Sequence, residues 1–274
     1  KSTAEGAIAY AIRAVSEGTQ KKVAFVVGHG EKGSAQLNEA CAALKRDNLN
    51  VSDLNLQQET ISPESVQAIV IAAPQTPWHP EDLSKFNAYL QSGGRALVLL
   101  DPVMNDNRKG LRRNGMEEIL LEWGIQTDDE IVLDPQHCER GQLPILSFLA
   151  GRLMGARIMS GVNQNHPITK SLEKAELAPV LFPYALPVGF KDNPESPDAP
   201  PNPNQAELFV SSDQSVALFD FTLKEMSEIE SSPTTRRGPF SIGVALSRKK
   251  KTEQGESAGN ETRLAVFGDV DWIS

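Results

Sequence analysis

The chain has 274 residues, 39% of them hydrophobic and 23% charged, enough to bury a substantial core in one large domain or a domain with an insert. A net charge of −9 argues against a nucleic-acid or anionic-membrane partner. No apolar run approaches the roughly 20 residues that span a bilayer, and no signal peptide is present.

Residues 3–17 read as a helix with Ile8, Ile12 and Val15 on one face, stopped at Gly18. Lys22–Val27 is a strand buried on both faces. The turn Gly28–Gly33 follows, then a helix from Ser34 to about Arg46 with Leu37, Cys41 and Leu44 on its apolar face and Ser34 as cap. Asn50–Leu56 gives a second strand. Ala68–Ala73 and Ala96–Leu100 are uninterrupted apolar runs, the pattern of strands covered on both sides. Between them Pro80, Glu81 and Asp82 open a helix that Gly93 and Gly94 close, because proline suits a first helical position, acids face the positive dipole end and glycine permits the left-handed exit. Leu111–Trp123 is a further helix and Glu130–Leu133 a short strand. The alternation predicts an α/β fold with a doubly wound, mainly parallel sheet, amidotransferase-like or flavodoxin-like.

After about Asp134 the helical spacing fades. Ala156–Ser160, Val180–Leu186, Glu207–Ser211, Ser215–Phe221 and Phe240–Leu246 read as strands. Lys191–Gln205 and Arg248–Glu261 are low in apolar content and are expected to be mobile loops, the basic run from Arg248 to Lys251 being a solvated part of the second. Arg263–Phe267 is again a buried-type strand. The expected organisation is an α/β core over residues 1–134, a β-rich extension over 135–262, and a final strand in 263–274 that returns to the core sheet. With Lys1 at its start and a strand-like run just before Ser274, the sequence reads as a piece of a longer protein.

Gly28-x-Gly30-x-x-Gly33 follows a strand, precedes a helix and has Asp53 twenty residues later, which formally matches a dinucleotide loop. Glu31 sets a negative charge inside that loop, and Asp53 falls within a strand instead of at its end. A tight strand-to-helix turn accounts for the same residues. His29 and Glu31, by type a general acid–base pair or metal ligands, lie at a strand's carboxyl end, where open α/β sheets hold ligands. Asp134, His137, Cys138 and Glu139 are metal-capable by type, but their spacing matches no established zinc pattern, and they read as an exposed loop. No Gly-x-Ser-x-Gly or Gly-x-Cys-x-Gly elbow occurs, so a nucleophile on a strained turn is missing. Cys41 reads as a small buried hydrophobe. The carboxyl ends of the parallel strands would bring His29, Glu31, Gln75, Asp101 and Asp269 to one cleft, acidic enough to favour cations or hydroxyl-rich groups over phosphates. For Asp101 and Asp269 the structural alternative is a carboxylate that caps the following turn.

Val23–Glu31 with Ala11 and Ile12, Ala68–Thr76, Tyr89–Gly94, Leu97–Pro102, His166–Thr169, Phe182–Pro183 and Leu264–Trp272 together resemble the auxiliary, GldG-like component of ABC-type transport systems, including those associated with gliding motility. The resemblance implies an amidotransferase-like or intraflagellar-transport-like fold without the catalytic cysteine, and a non-enzymatic binding or scaffold role. It also implies placement on the extracytoplasmic, periplasmic side, anchored in the membrane beside ABC permease and ATPase subunits. No cofactor is implied. The alternatives are an amidotransferase-like enzyme using His29, Glu31 and Asp269, and a nucleotide- or sugar-binding module using the Gly28–Gly33 loop.

Overall fold

The computed structural model describes residues 20–134, 156–157, 162–170, 180–183, 185–191, 202–223, 226–249 and 261–273. Over these residues the protein is mixed α/β, with one large sheet and few helices. The sheet runs, edge to edge, β10 (Gln205–Val210), β13 (Ser241–Lys249), β14 (Glu261–Phe267), β4 (Arg95–Leu99), β3 (Ala68–Ala72), β1 (Lys22–Val27), β2 (Asn50–Asn55). The five from β2 to β14 are mutually parallel, and β13 and β10 continue the sheet antiparallel. Smaller ladders pair β5 (Ile125–Thr127) with β9 (Val188–Phe190), β6 (Ile131–Leu133) with β11 (Val216–Leu218) and β12 (Arg236–Arg237), and β7 (Ala156–Arg157) with β8 (Leu181–Phe182).

Because successive strand side chains point to opposite faces, each apolar run feeds two cores. Ala24, Val26, Ile69, Ile71, Val98, Leu264 and Val266 pack beneath helices α2 (Pro80–Gln91) and α3 (Met116–Glu122). Val23, Phe25, Val70, Ala72, Leu99 and Phe267 face the other side, with α1 (Asn38–Arg46), Phe182 and Phe209. Within α2, Phe86 and Tyr89 are fully buried, and a side chain of that size contributes about 1.5–3 kcal/mol. Tyr89 also ties the crossover together: its Oη donates to the Val66 carbonyl at 3.1 Å and accepts the Arg95 amide at 3.2 Å. α2 ends where Gly93 takes φ 94°, and the Gly94 amide returns to the Tyr89 carbonyl. A fourth helix, α4 (Met226–Ser231), is short. Among the described residues no helix is long and apolar enough to cross a membrane.

Several expectations change. The fully apolar β1 is not central: it lies second from the edge, flanked by β3 and β2, and the middle position belongs to β4. Apolar character reports cover on both faces, and α1 supplies that cover even near the edge. α1 begins at Asn38 instead of Ser34, since the Ser34 amide and hydroxyl both go to the Asp53 carboxylate, at 2.8 and 3.1 Å, and residues 34–36 form a turn. α3 starts only at Met116, because Leu111 bridges to Met104 and Gly115 takes φ 89°. Arg248 and Lys249 belong to β13, and the Arg248 guanidinium sits 4.5 Å over the Trp123 ring, not in a solvated loop. Asp134 is buried at 3% exposure and accepts the Ser212 amide and hydroxyl, each at 2.9 Å, so it is not part of an exposed loop. The expected helix at 3–17, His137, Cys138 and Glu139, and most of the two expected mobile loops lie outside the described residues.

Candidate functional site

The site is built where β1 ends. Gly28 and Gly30 take φ of 137° and 82°, which turn the chain sharply on both sides of His29. The backbone at His29 is locked: its amide donates to Glu31 Oε2 at 2.7 Å, and its carbonyl accepts the Gln75 and Thr76 amides at 3.0 Å and the Thr76 hydroxyl at 3.1 Å. A Cβ on Gly30 would lie 2.9 Å from the Gln75 Cβ, so the loops after β1 and β3 press against each other with no room for a side chain.

The His29 ring is enclosed. His29, Glu31 and Asp82 are 3%, 6% and 2% exposed. Nδ1 lies 3.4 Å from Glu31 Oε1 and Nε2 lies 3.3 Å from Asp82 Oδ2, while Lys85 Nζ approaches Asp82 at 3.8 Å. Trp78 covers one ring face, stacked at 4.9 Å and 22°, and His79 meets the ring edge-on at 5.5 Å. The His79 amide lies 3.5 Å from Nε2, at the limit of hydrogen bonding. His29 Nδ1, Glu31 Oε1, Asp82 Oδ2 and Trp78 Nε1 are buried and form no hydrogen bond within the chain. The ring nitrogens therefore lie close to both carboxylates but outside good hydrogen-bond geometry. A neutral imidazole carries a single N–H, so it can donate to one of its two carboxylates only. The carboxylates also sit on opposite sides of the ring and cannot converge on one ion. In keeping with that, no group of three or more His, Cys, Asp or Glu among the described residues is arranged to hold a metal.

A second set lies along the same strand ends. Asp101, just past β4, is half-buried, and burial pushes its carboxyl up to about 6; Asp271 adds to that rise, while Lys32 and a hydrogen bond from the Gln75 side chain oppose it. Lys32 Nζ pairs with Asp271 Oδ1 at 2.9 Å. Asp269 is fully buried and accepts the Asp271 amide at 2.6 Å, the turn-capping role that its sequence position allowed. Of the five residues proposed for the cleft, only Gln75 and Asp101 reach solvent, while His29, Glu31 and Asp269 are buried. Trp78, His79, Asp82, Lys32 and Asp271 belong to the two sets and were not singled out from sequence. The usable signal was Trp78-His79 immediately before the helix-opening Pro80.

Three amides of the glycine loop, and that of Ser34 after it, are spent internally. His29 N–H goes to Glu31, Lys32 N–H to the Ala72 carbonyl, Gly33 N–H to Gln36 Oε1 and Ser34 N–H to Asp53. Asp53, placed where a ribose-binding acid would be sought, is the acceptor that holds Ser34. Cys41 is buried on α1, and burial raises its thiol above the ordinary range.

Comparison with solved structures shows a shared fold with the mmIFT52 N-terminal domain, at TM-score 0.56 and 16% identity over 93% of this chain and 88% of that one. Exo-beta-1,4-mannosidase Op5Man5 from Opitutaceae bacterium strain TAV5 aligns over 98% of this chain and 34% of its own, at TM-score 0.42 and 12% identity, too low to carry a fold argument. No curated protein matches the sequence. The family model described as "ABC-type uncharacterized transport system" matches residues 20–274, and the chain belongs to that family of transport-system auxiliary components.

Proposed function

We propose that the chain is a non-enzymatic, extracytoplasmic binding or scaffold module, anchored in the intact protein and working beside the permease and ATPase of its transport system. The observation that carries this reading is the fate of His29 and Glu31. They are the sequence's best acid–base pair, yet both are buried and committed to contacts within the chain. What faces solvent along the strand ends is a polar set, Gln75, Asp101, Lys32 and Asp271, whose oxygens suit coordinating a cation and whose donors and acceptors suit a hydroxyl-rich group. The parallel strands follow the order 2-1-3-4 and then β14, which supports a flavodoxin-like reading of the core. In that reading the loops after β1 and β3 lie at the topological switch point, the usual ligand crevice of such sheets. The amides of His29, Lys32 and Gly33 are bonded within the chain, which weighs against a nucleotide there.

Thermal unfolding of the purified chain with panels of sugars, peptides, nucleotides and divalent cations tests the binding role. A ligand at a hundredfold excess over Kd stabilises by about 2.7 kcal/mol. The shift should come from the sugar or cation panel and disappear in Asp101→Asn. A nucleotide-specific shift, or turnover of any panel compound that depends on His29, overturns the reading. A reporter enzyme active only outside the cytoplasm, fused to this region of the intact protein, tests its placement.

A further inference from the structure

Four neighbouring parallel strands, β1, β3, β4 and β14, bring Lys32, Gln75, Asp101 and Asp271 to one edge of the sheet, each on the stretch that leaves its own strand. The backbone fixes three of these positions. The Lys32 amide donates to the Ala72 carbonyl at 2.7 Å, the Gln75 amide to the His29 carbonyl at 3.0 Å, and the Asp271 amide to the buried Asp269 carboxylate at 2.6 Å. The Gln75 side chain is oriented as well: its Nε2 donates to the Ala73 carbonyl at 3.1 Å, and its amide also bonds the Asp101 carboxylate. The cation of the set is Lys32, whose Nζ lies 2.9 Å from Asp271 Oδ1, with side chains 32% and 34% exposed. The same ammonium acts on Asp101: burial raises that carboxyl and Asp271 raises it further, while Lys32 pulls it down. One ammonium thus serves two carboxylates.

We infer that Lys32 is the built-in cation of this site, so that the ligand is a neutral, hydroxyl-rich molecule and not a metal ion; this rests on the binding role proposed above. A magnesium or calcium ion takes about six or more oxygen ligands. Here it would have to share Asp271 Oδ1 with an ammonium already bonded to it, or drive that ammonium out, with like charges in contact. Hydroxyl groups meet no such conflict, because each both donates and accepts. The Asp101 carboxylate has two oxygens with which to accept from neighbouring hydroxyls. The Lys32 ammonium has three donors and gives one of them to Asp271. An anion is disfavoured, since two carboxylates against one ammonium leave the set negative.

The test is thermal unfolding of the wild-type chain, Lys32→Met and Lys32→Arg, each with glucose, myo-inositol or maltotriose and, separately, with calcium or magnesium chloride. In the wild type a hydroxyl compound should raise Tm by about 5 °C or more at about a hundredfold excess over Kd, and the salts should not. Gln75→Ala should abolish that rise, which separates binding from the general stabilisation that excluded solutes give. Lys32→Met keeps the alkyl stem and removes the charge. It should gain a Tm rise with calcium chloride that sodium chloride of equal ionic strength does not give, whereas Lys32→Arg, which keeps the charge, should not. A wild-type rise with either divalent salt that Asp101→Asn abolishes overturns the inference and leaves the binding role standing. So does a Lys32→Met chain indifferent to both salts while the wild type still responds to a hydroxyl compound. If no compound of either class shifts the wild type, the binding role itself fails, and the inference with it.

Discussion

The imidazole of His29 lies nearly parallel to the indole of Trp78, with ring centroids 4.9 Å apart, and this stack seals a buried ring flanked by two carboxylates beneath an aromatic lid. Trp78→Ala should therefore cost about 3–5 kcal/mol, from the cavity and from water admitted to His29. Trp78→Phe keeps an aromatic ring and removes a buried N–H that has no acceptor, so it should cost less than about 1.5 kcal/mol. Urea unfolding of both variants checks the order; equal losses would refute the lid role.

His29→Ala should destabilise by about 3–5 kcal/mol, since it leaves Glu31 and Asp82 buried without the group between them. Glu31→Gln keeps the shape and loses the charge, and should cost about 1–3 kcal/mol. An exposed turn would tolerate both changes, so two variants with wild-type stability would show that the loop is not buried as described.

Asp101 gives the protein a pH signature. Its folded carboxyl titrates near 6 against an ordinary 3.8, so the folded state holds more protons than the unfolded state between those values. The stabilising protonated form is fully present below about pH 3.8 and lost as pH rises through 6. Asp101→Asn should raise stability at neutral pH by up to about 2 kcal/mol, with the gain shrinking below pH 6 and vanishing near 3.8. Unfolding curves across that range decide it; a pH-independent difference would assign the effect to packing instead of charge.

Gly268 is irreplaceable for reasons of space. A Cβ there would fall 1.9 Å from the Leu186 carbonyl oxygen, while the backbone of Gly268 bonds both Ile242 and Leu186. Because the obstacle is backbone and cannot rotate away, Gly268→Ala should cost about 3 kcal/mol or more. Near-native Tm in that variant would mean that the 185–187 segment does not lie against β14.

The strands most readable in sequence were those with an unbroken apolar run inside them: β1, β3, β4 and β14. Helix α2 was legible from both ends, since Pro80 and Gly93 punctuate it locally. Strand order was not legible, because Val23–Val26 looks the same whether two or five strands lie beyond it. β5 and β9 were missed, as three residues each carry no periodicity and are strands only because distant partners pair with them. At the site, Asp82 read as an acid favouring a helix N-terminus, and only the fold turns it inward to His29. Lys32 and Asp271 are 239 residues apart, and nothing local marks them as partners.

The insertion of β14 between β4 and β13 has a consequence for biosynthesis. The strands from β2 to β4 and the β13–β10 pair share no ladder until residues 261–267 are made. A nascent chain short of Glu261 holds two half-sheets whose facing edges, β4 and β13, are both unpaired and apolar. Those are templates for pairing with other chains, and they persist for as long as translation of the last strand takes. Stalling just before Glu261 should therefore be the point at which this protein most needs a chaperone.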